Sequence, residues 1–308
     1  MLLAIAATLA IVAIGYVLKQ KQFLPDTIWQ SLSPLCYWVL FPGLLFDVMT
    51  TMELSAAVLG PFSVTIAGAS VVIVCFALAA GRAAGMDGPA HSSLVQGALR
   101  HNGFLVLSIL QGAFGLAAMQ LAAVAIAILV PISNIVSVVA VLIMAGAGGD
   151  RGMKRAIIAE ILRNPLLLSL ALGLGVNLLQ IPVPDFIAAA AAMLGDGALP
   201  LLLLSIGASL RFSAIRGHAL PLGLAIGAKA IVFPAAFVSI GFGLGLDALS
   251  LAVLAAIGAA PTANSSYTLA VELGGDSRLM AEIISTQTVV AALSMPFWIW
   301  AAGRVVQI

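Results

Sequence analysis

Ala260-Pro261-Thr262-Ala263-Asn264-Ser265-Ser266 separates the apolar runs 249–257 and 267–270, so a single membrane-length span is polar and proline-broken in its middle. A proline inside a helix removes a backbone donor and its ring clashes with the preceding turn. In lipid the freed backbone groups must find partners, so irregular backbone survives only where protein or a wet cavity shields it. A matching flaw, Arg100-His101-Asn102-Gly103, interrupts another apolar span in the first half of the chain. Two interrupted helices at corresponding places in two halves point to the substrate site of a carrier.

Working outward, the composition sets the solvent. Of 308 residues, 62% are hydrophobic and only 8% charged, against about 25% charged in a soluble domain. Such an excess of apolar residues needs lipid around it, which makes the chain a polytopic, all-α membrane protein. No basic cluster interleaved with aromatics supports nucleic-acid binding. Cys36 and Cys75 both lie in apolar runs and read as small core hydrophobes rather than a disulfide or metal pair.

Ten spans are expected, at roughly 2–18, 31–50, 61–84, 92–117, 120–146, 164–179, 185–210, 219–245, 247–271 and 278–302, each near the ~20 residues a hydrocarbon core requires. Pro25-Asp26, Asn164-Pro165, Pro184-Asp185 and Asp247 stand where capping residues and first-turn prolines belong. No positive n-region precedes the first span, so a cleaved signal peptide is not expected. Lys19 and Lys21 fall in the first connection and Arg82 in the third. Arg151, Lys154, Arg155 and Arg163 fall in the fifth, Arg211 and Arg216 in the seventh, and Arg278 in the ninth. The positive-inside rule then places the odd connections in the cytoplasm and both termini outside an inner (plasma) membrane.

Three features recur at a nearly constant offset. Asp26 and Asp185 are 159 positions apart, Pro42 and Pro200 are 158 apart, and Gly103 and Pro261 are 158 apart. This suggests two repeats, 1–150 with spans 1–5 and 151–308 with spans 6–10. An odd number of spans per repeat makes the second enter from the opposite face, with spans 4 and 9 broken and crossing near the midplane.

Ala260-Pro261-Thr262-Ala263-Asn264, followed by Ala270-Val271-Glu272-Leu273-Gly274-Gly275-Asp276 and Ile284-Ser285-Thr286, resembles the ninth span of the auxin efflux carrier family. Leu199-Pro200 through Ser209-Leu210 resembles its seventh span. Arg100-His101-Asn102 resembles the Arg-x-Asn of the bacterial members' fourth span, and Asn164-Pro165 the start of their sixth. The resemblance covers essentially the whole chain. It implies a secondary carrier of organic carboxylates such as malonate or malate, or auxin-like acids. It also implies a scaffold of spans 1, 2, 6 and 7, a transport unit of spans 3–5 and 8–10, and a homodimer through the scaffold. The chain departs from the family in lacking the long cytoplasmic loop of many plant members, and Gly103 stands where the fourth-span break carries proline.

The chemistry is also readable residue by residue. A broken helix begins its second half with unpaired N–H groups carrying about half a positive charge, which suits a carboxylate. Those amides lie near Gly103-Phe104 and Asn264-Ser265. Asn102 and Asn264 offer neutral donors to an anion or, alternatively, cap the second half-helices. Thr262, Ser265 and Ser266 offer hydroxyls, and Phe104 and Tyr267 a cover for an organic body. Arg100 pairs either with a substrate carboxylate or with a protein acid such as Asp196 or Glu272, or else snorkels to the cytoplasm. His101 and Asp196 are the candidates for coupling to H⁺ or Na⁺, with structural pairing as their alternative. Lys229 reads as a snorkelling residue, with a role in transport as its alternative, Glu272 as a gate or surface pair, and Pro42 and Pro200 as bends.

A channel would need rings or a carbonyl filter, an enzyme a catalytic set such as His-Glu-x-x-His or Gly-x-Ser-x-Gly, and an ATP-driven pump a Walker motif. The chain carries none of these signatures. Within carriers, the alternative is a sodium-coupled bile-acid-type symporter of amphipathic anions.

Overall fold

A computed structural model describes residues 2–52, 56–146, 164–210 and 219–305. The basic residues of the fifth and seventh connections (Arg151, Lys154, Arg155, Arg163, Arg211 and Arg216) lie outside the described residues. What is described is helical, with no strand. In chain order the helices are α1 (Leu2–Gln20), α2 (Asp26–Thr50), α3 (Ala56–Ala83), α4 (Gly88–Leu99), α5 (Gly103–Phe114) and α6 (Leu116–Met144). They continue as α7 (Pro165–Leu178), α8 (Asp185–Ser209), α9 (Ala219–Gly243), α10 (Ala248–Ala259), α11 (Ser265–Leu273) and α12 (Ser277–Val305). Six of them, α2, α3, α6, α8, α9 and α12, are long and apolar enough to cross a bilayer.

The short helices are short for local reasons. α4 and α10 each have 12 residues, or about 18 Å at 1.5 Å per residue, too little for a ~30 Å core. Each is opened by an aspartate whose carboxylate accepts a backbone N–H three residues on: Asp87 from Ala90 at 2.9 Å, and Asp247 from Ser250 at 2.7 Å. Each is closed by a residue in extended conformation, Arg100 (φ −66°, ψ 145°) and Ala260 (φ −67°, ψ 144°). Asn164 opens α7 in the same way, accepting from Leu166 and Leu167 ahead of Pro165. Gly115 at φ +75° separates α5 from α6, and Gly274 at φ +82° ends α11 in the left-handed cap that glycine adopts without strain.

Two long helices contain a π-helical turn, Cys36–Leu40 in α2 and Ala228–Val232 in α9, each followed at once by a Phe-Pro pair. Proline cannot donate and would strike the carbonyl four residues back. The widened turn relieves this: Phe41 donates instead to Cys36, five residues back, and Phe233 to Ala228. The carbonyl left over by Pro234 is that of Ala230, and the indole Nε1 of Trp298 donates to it at 2.7 Å. Pro200, in contrast, sits inside α8 without interrupting it.

The chain divides into two compact units. Unit 1 holds α1, α2, α7, α8 and residues 104–127. In it α1 packs along α8, and α2 packs along α7 and α8. The α1–α8 seam is close because Gly15 faces the backbone of Leu204 while Gly207 faces that of Val12, and neither site leaves room for a Cβ. Val12, Leu203 and Ile206 form a buried cluster there, and Phe104 packs against it with its ring 4.0 Å edge-on from Phe41. Unit 2 holds α3, α4, residues 128–144 and α9 to α12. Within it α10 packs against α9 and α12, α9 against α3, and α4 against α3, α9 and α12. Cys36 is fully buried, but Cys75 is exposed, which corrects its reading as a core residue; both are free thiols.

Candidate functional site

Unit 2 brings the two interruptions together. The backbone N–H of Asn102, in the gap between α4 and α5, donates to the carbonyl of Pro261, in the gap between α10 and α11, at 2.7 Å. Arg100 reaches across the same junction, its Nη2 donating to Ser265 Oγ at 2.8 Å. Arg100, His101 and Asn102 are 7%, 6% and 3% exposed, so the arginine is enclosed and does not snorkel. Ser265 is exposed, Gly103 and Asn264 are half-buried, and Asn264 precedes α11 without its side chain capping the helix. An arginine and a hydroxyl beside an uncapped helix start make an anion-binding chemistry.

One residue passed over at the sequence level holds this junction closed. Gln287 of α12 is buried, and its amide makes four hydrogen bonds. Oε1 accepts from the backbone N–H of Thr262 at 2.9 Å and lies 2.7 Å from its hydroxyl. Nε2 donates to the carbonyls of Gly97 at 3.0 Å and Ala225 at 2.8 Å. Two of the backbone groups that a regular helix would have paired at the breaks, the Thr262 N–H and the Gly97 carbonyl, are thereby satisfied. The Thr262 hydroxyl also lies 2.9 Å from Gly97 O, and the residue is fully buried. Of the expected hydroxyls, Thr262 is thus held inside the protein by Gln287 and Gly97, whereas Ser265 accepts from Arg100. The available sign was a glutamine inside an apolar span.

Lys229 overturns its reading as a snorkelling residue. It sits in the π turn of α9, 2% exposed, with Nζ buried. A snorkelling lysine keeps its ammonium in water; this one meets the Phe233 ring, 4.8 Å from its centroid. His101 lies within electrostatic reach of both Lys229 and Arg100, and neither of its ring nitrogens has a hydrogen-bond partner. Glu272 is exposed on α11, and Tyr267 is half-buried against Ala270, Met280 and Ile284. Ser266 is fully buried and its hydroxyl has no partner. Phe104 and Asp196 belong to unit 1, where Asp196 is exposed and within electrostatic reach of Asp47. Among the described residues no group of three or more His, Cys, Asp or Glu is placed to hold a metal ion.

Apolar helices with two interruptions joined inside one unit fit a membrane carrier, and comparison with known proteins supplies the class. The profile of the membrane transport protein family matches residues 1–299, and the chain belongs to this family, that of the auxin efflux carriers. It is a family of multi-pass membrane transporters and not of enzymes. The chain is also similar to an uncharacterized transporter of Methanothermobacter thermautotrophicus, with 26% identity over 300 residues covering 96% of each chain.

Proposed function

We propose that this protein is a secondary carrier of small organic carboxylates, malonate or malate among them, which binds its anion at the junction of the two helix interruptions and works by alternating access. The observation that carries this reading is the Asn102–Pro261 backbone bond, which gathers Arg100, Asn102 and Ser265 beside the start of α11. The matched lengths, caps and closing dihedrals of α4 and α10 support an inverted repeat of five spans each, ten in all, with spans 4 and 9 crossing. In this reading spans 1, 2, 6 and 7 are a scaffold, through which a homodimer forms, and spans 3–5 and 8–10 are the transport unit. Both termini face outside the inner membrane, and coupling is to H⁺ or Na⁺.

Uptake of labelled malonate into proteoliposomes tests the proposal. Saturable uptake that is lost in Asn102→Ala supports it, and separate pH and Na⁺ gradients identify the coupling ion. Absence of flux or binding for every organic anion tried would sink it. Sodium-driven uptake restricted to bulky amphipathic anions would move the protein to the bile-acid type instead.

A further inference from the structure

Among the buried polar groups of unit 2, Lys229 stands apart: its amine is enclosed and nothing in the described residues answers it. Its Nζ has no hydrogen-bond partner, and among the described residues no carboxylate pairs with it. The buried acid of the neighbouring helix α12, Glu282, is paired with Arg278 one turn before it. The Phe233 ring beneath Nζ recovers only part of what a cation loses on leaving water. An ammonium has three donors and no acceptor capacity. A bound anion would supply both the acceptor and the counter-charge that keep a lysine protonated in a desolvated place.

The position is built rather than incidental. The π turn that carries Lys229 packs against α4, α10 and α12, the two half-helices that lead into the interruptions and the helix that carries Gln287. Such turns are frequent at functional sites because they add a residue and re-aim the side chains that follow. His101, next in sequence to both Arg100 and Asn102, is within electrostatic reach of Lys229 and likewise has no partner. The π turn thus sets Lys229 against the helices that end at the junction and within electrostatic reach of His101, while no described carboxylate is paired with the lysine.

We propose that Lys229 is the charge partner of the bound anion, so that the site selects ligands by full negative charge and rejects their neutral isosteres. The inference rests on the anion-carrier reading and adds to it a residue outside the two interruptions. A carboxylate that reaches Nζ supplies the acceptor and counter-charge that the protein's described residues do not.

The test compares malonate with its neutral diamide, malonamide, binding to the purified full-length protein in detergent at fixed ionic strength. Wild type is expected to bind malonate at least about tenfold more tightly than malonamide, the factor a charge-assisted bond of ordinary strength gives. Lys229→Met loses this preference, while Lys229→Arg keeps most of it. Without anion, Lys229→Met melts no lower than wild type, because it removes a buried amine that has no hydrogen-bond partner. A Lys229→Met protein that still prefers malonate as wild type does overturns the assignment of Lys229 and leaves the carrier reading intact. Equal binding of the two probes by wild type does the same. Binding of neither probe, with no uptake of any organic anion, overturns both.

Discussion

Replacing Gln287 by leucine keeps the volume of the side chain and removes all four of its hydrogen bonds. The consequences differ by partner. Gly97 O keeps the Thr262 hydroxyl at 2.9 Å, so its loss is partial. The Thr262 N–H has no second acceptor in the structure, and a buried donor left unsatisfied costs about 1–3 kcal/mol. The bond to Ala225 O is worth about 1 kcal/mol more. The expected loss is therefore about 2–4 kcal/mol, measured as the change in unfolding free energy in mixed detergent–SDS micelles. A double-mutant cycle with Thr262→Val should show a coupling of about 1 kcal/mol, since each change strands the other's partner. A loss for Gln287→Leu below about 0.5 kcal/mol, the range of substitutions that touch nothing special, would refute the claim that this amide closes the junction.

Other substitutions extend the test to the rest of the chain. Ser265→Ala takes from Arg100 its 2.8 Å partner and should weaken malonate binding by about two- to tenfold in calorimetry, the worth of one hydrogen bond; unchanged affinity would place the anion elsewhere. Gly207→Leu forces a side chain into the backbone of Val12 and should cost about 1–3 kcal/mol in unfolding experiments on the detergent-solubilised protein. Asn164→Ala should lose about 1 kcal/mol by the same measurement, and Asn164→Asp only a few tenths, because aspartate caps equally well. Asp26→Asn breaks the ion pair with Lys19, but with side chains 27% and 71% exposed it should change stability by less than about 1 kcal/mol.

These sites also mark what a reading of the chain alone can reach. The interruptions at Arg100–Gly103 and Pro261 were legible because proline and charge act locally: they spoil a helix wherever they stand in it. The caps at Asn164 and Asp247 were legible for the same reason. Gln287 was not, because its importance lies in partners 25, 62 and 190 positions away, and nothing nearby in sequence announces them. Lys229 was misread because a lysine in an apolar span normally sends its ammonium to the interface, and only the packing of the π turn shows that this one cannot. Pro42 was read as a bend, but Pro234 was passed over, and the π turn before each depends on neighbours as well as on the ring. The approach of Asp196 to Asp47 joins residues of different spans and left no local sign.

The Trp298–Ala230 bond ties two residues into a shared history. Pro234 creates the need for an outside donor at Ala230, and Trp298 meets it from 68 positions further along the chain. With any other residue at 234, a backbone N–H is again available to that carbonyl, and the indole donor is no longer needed there. Proline at 234 and a side-chain donor at 298 should therefore be gained and lost together as sequences of this family diverge. A relative keeping the proline with phenylalanine at 298 would need a third residue, or water, at the same oxygen.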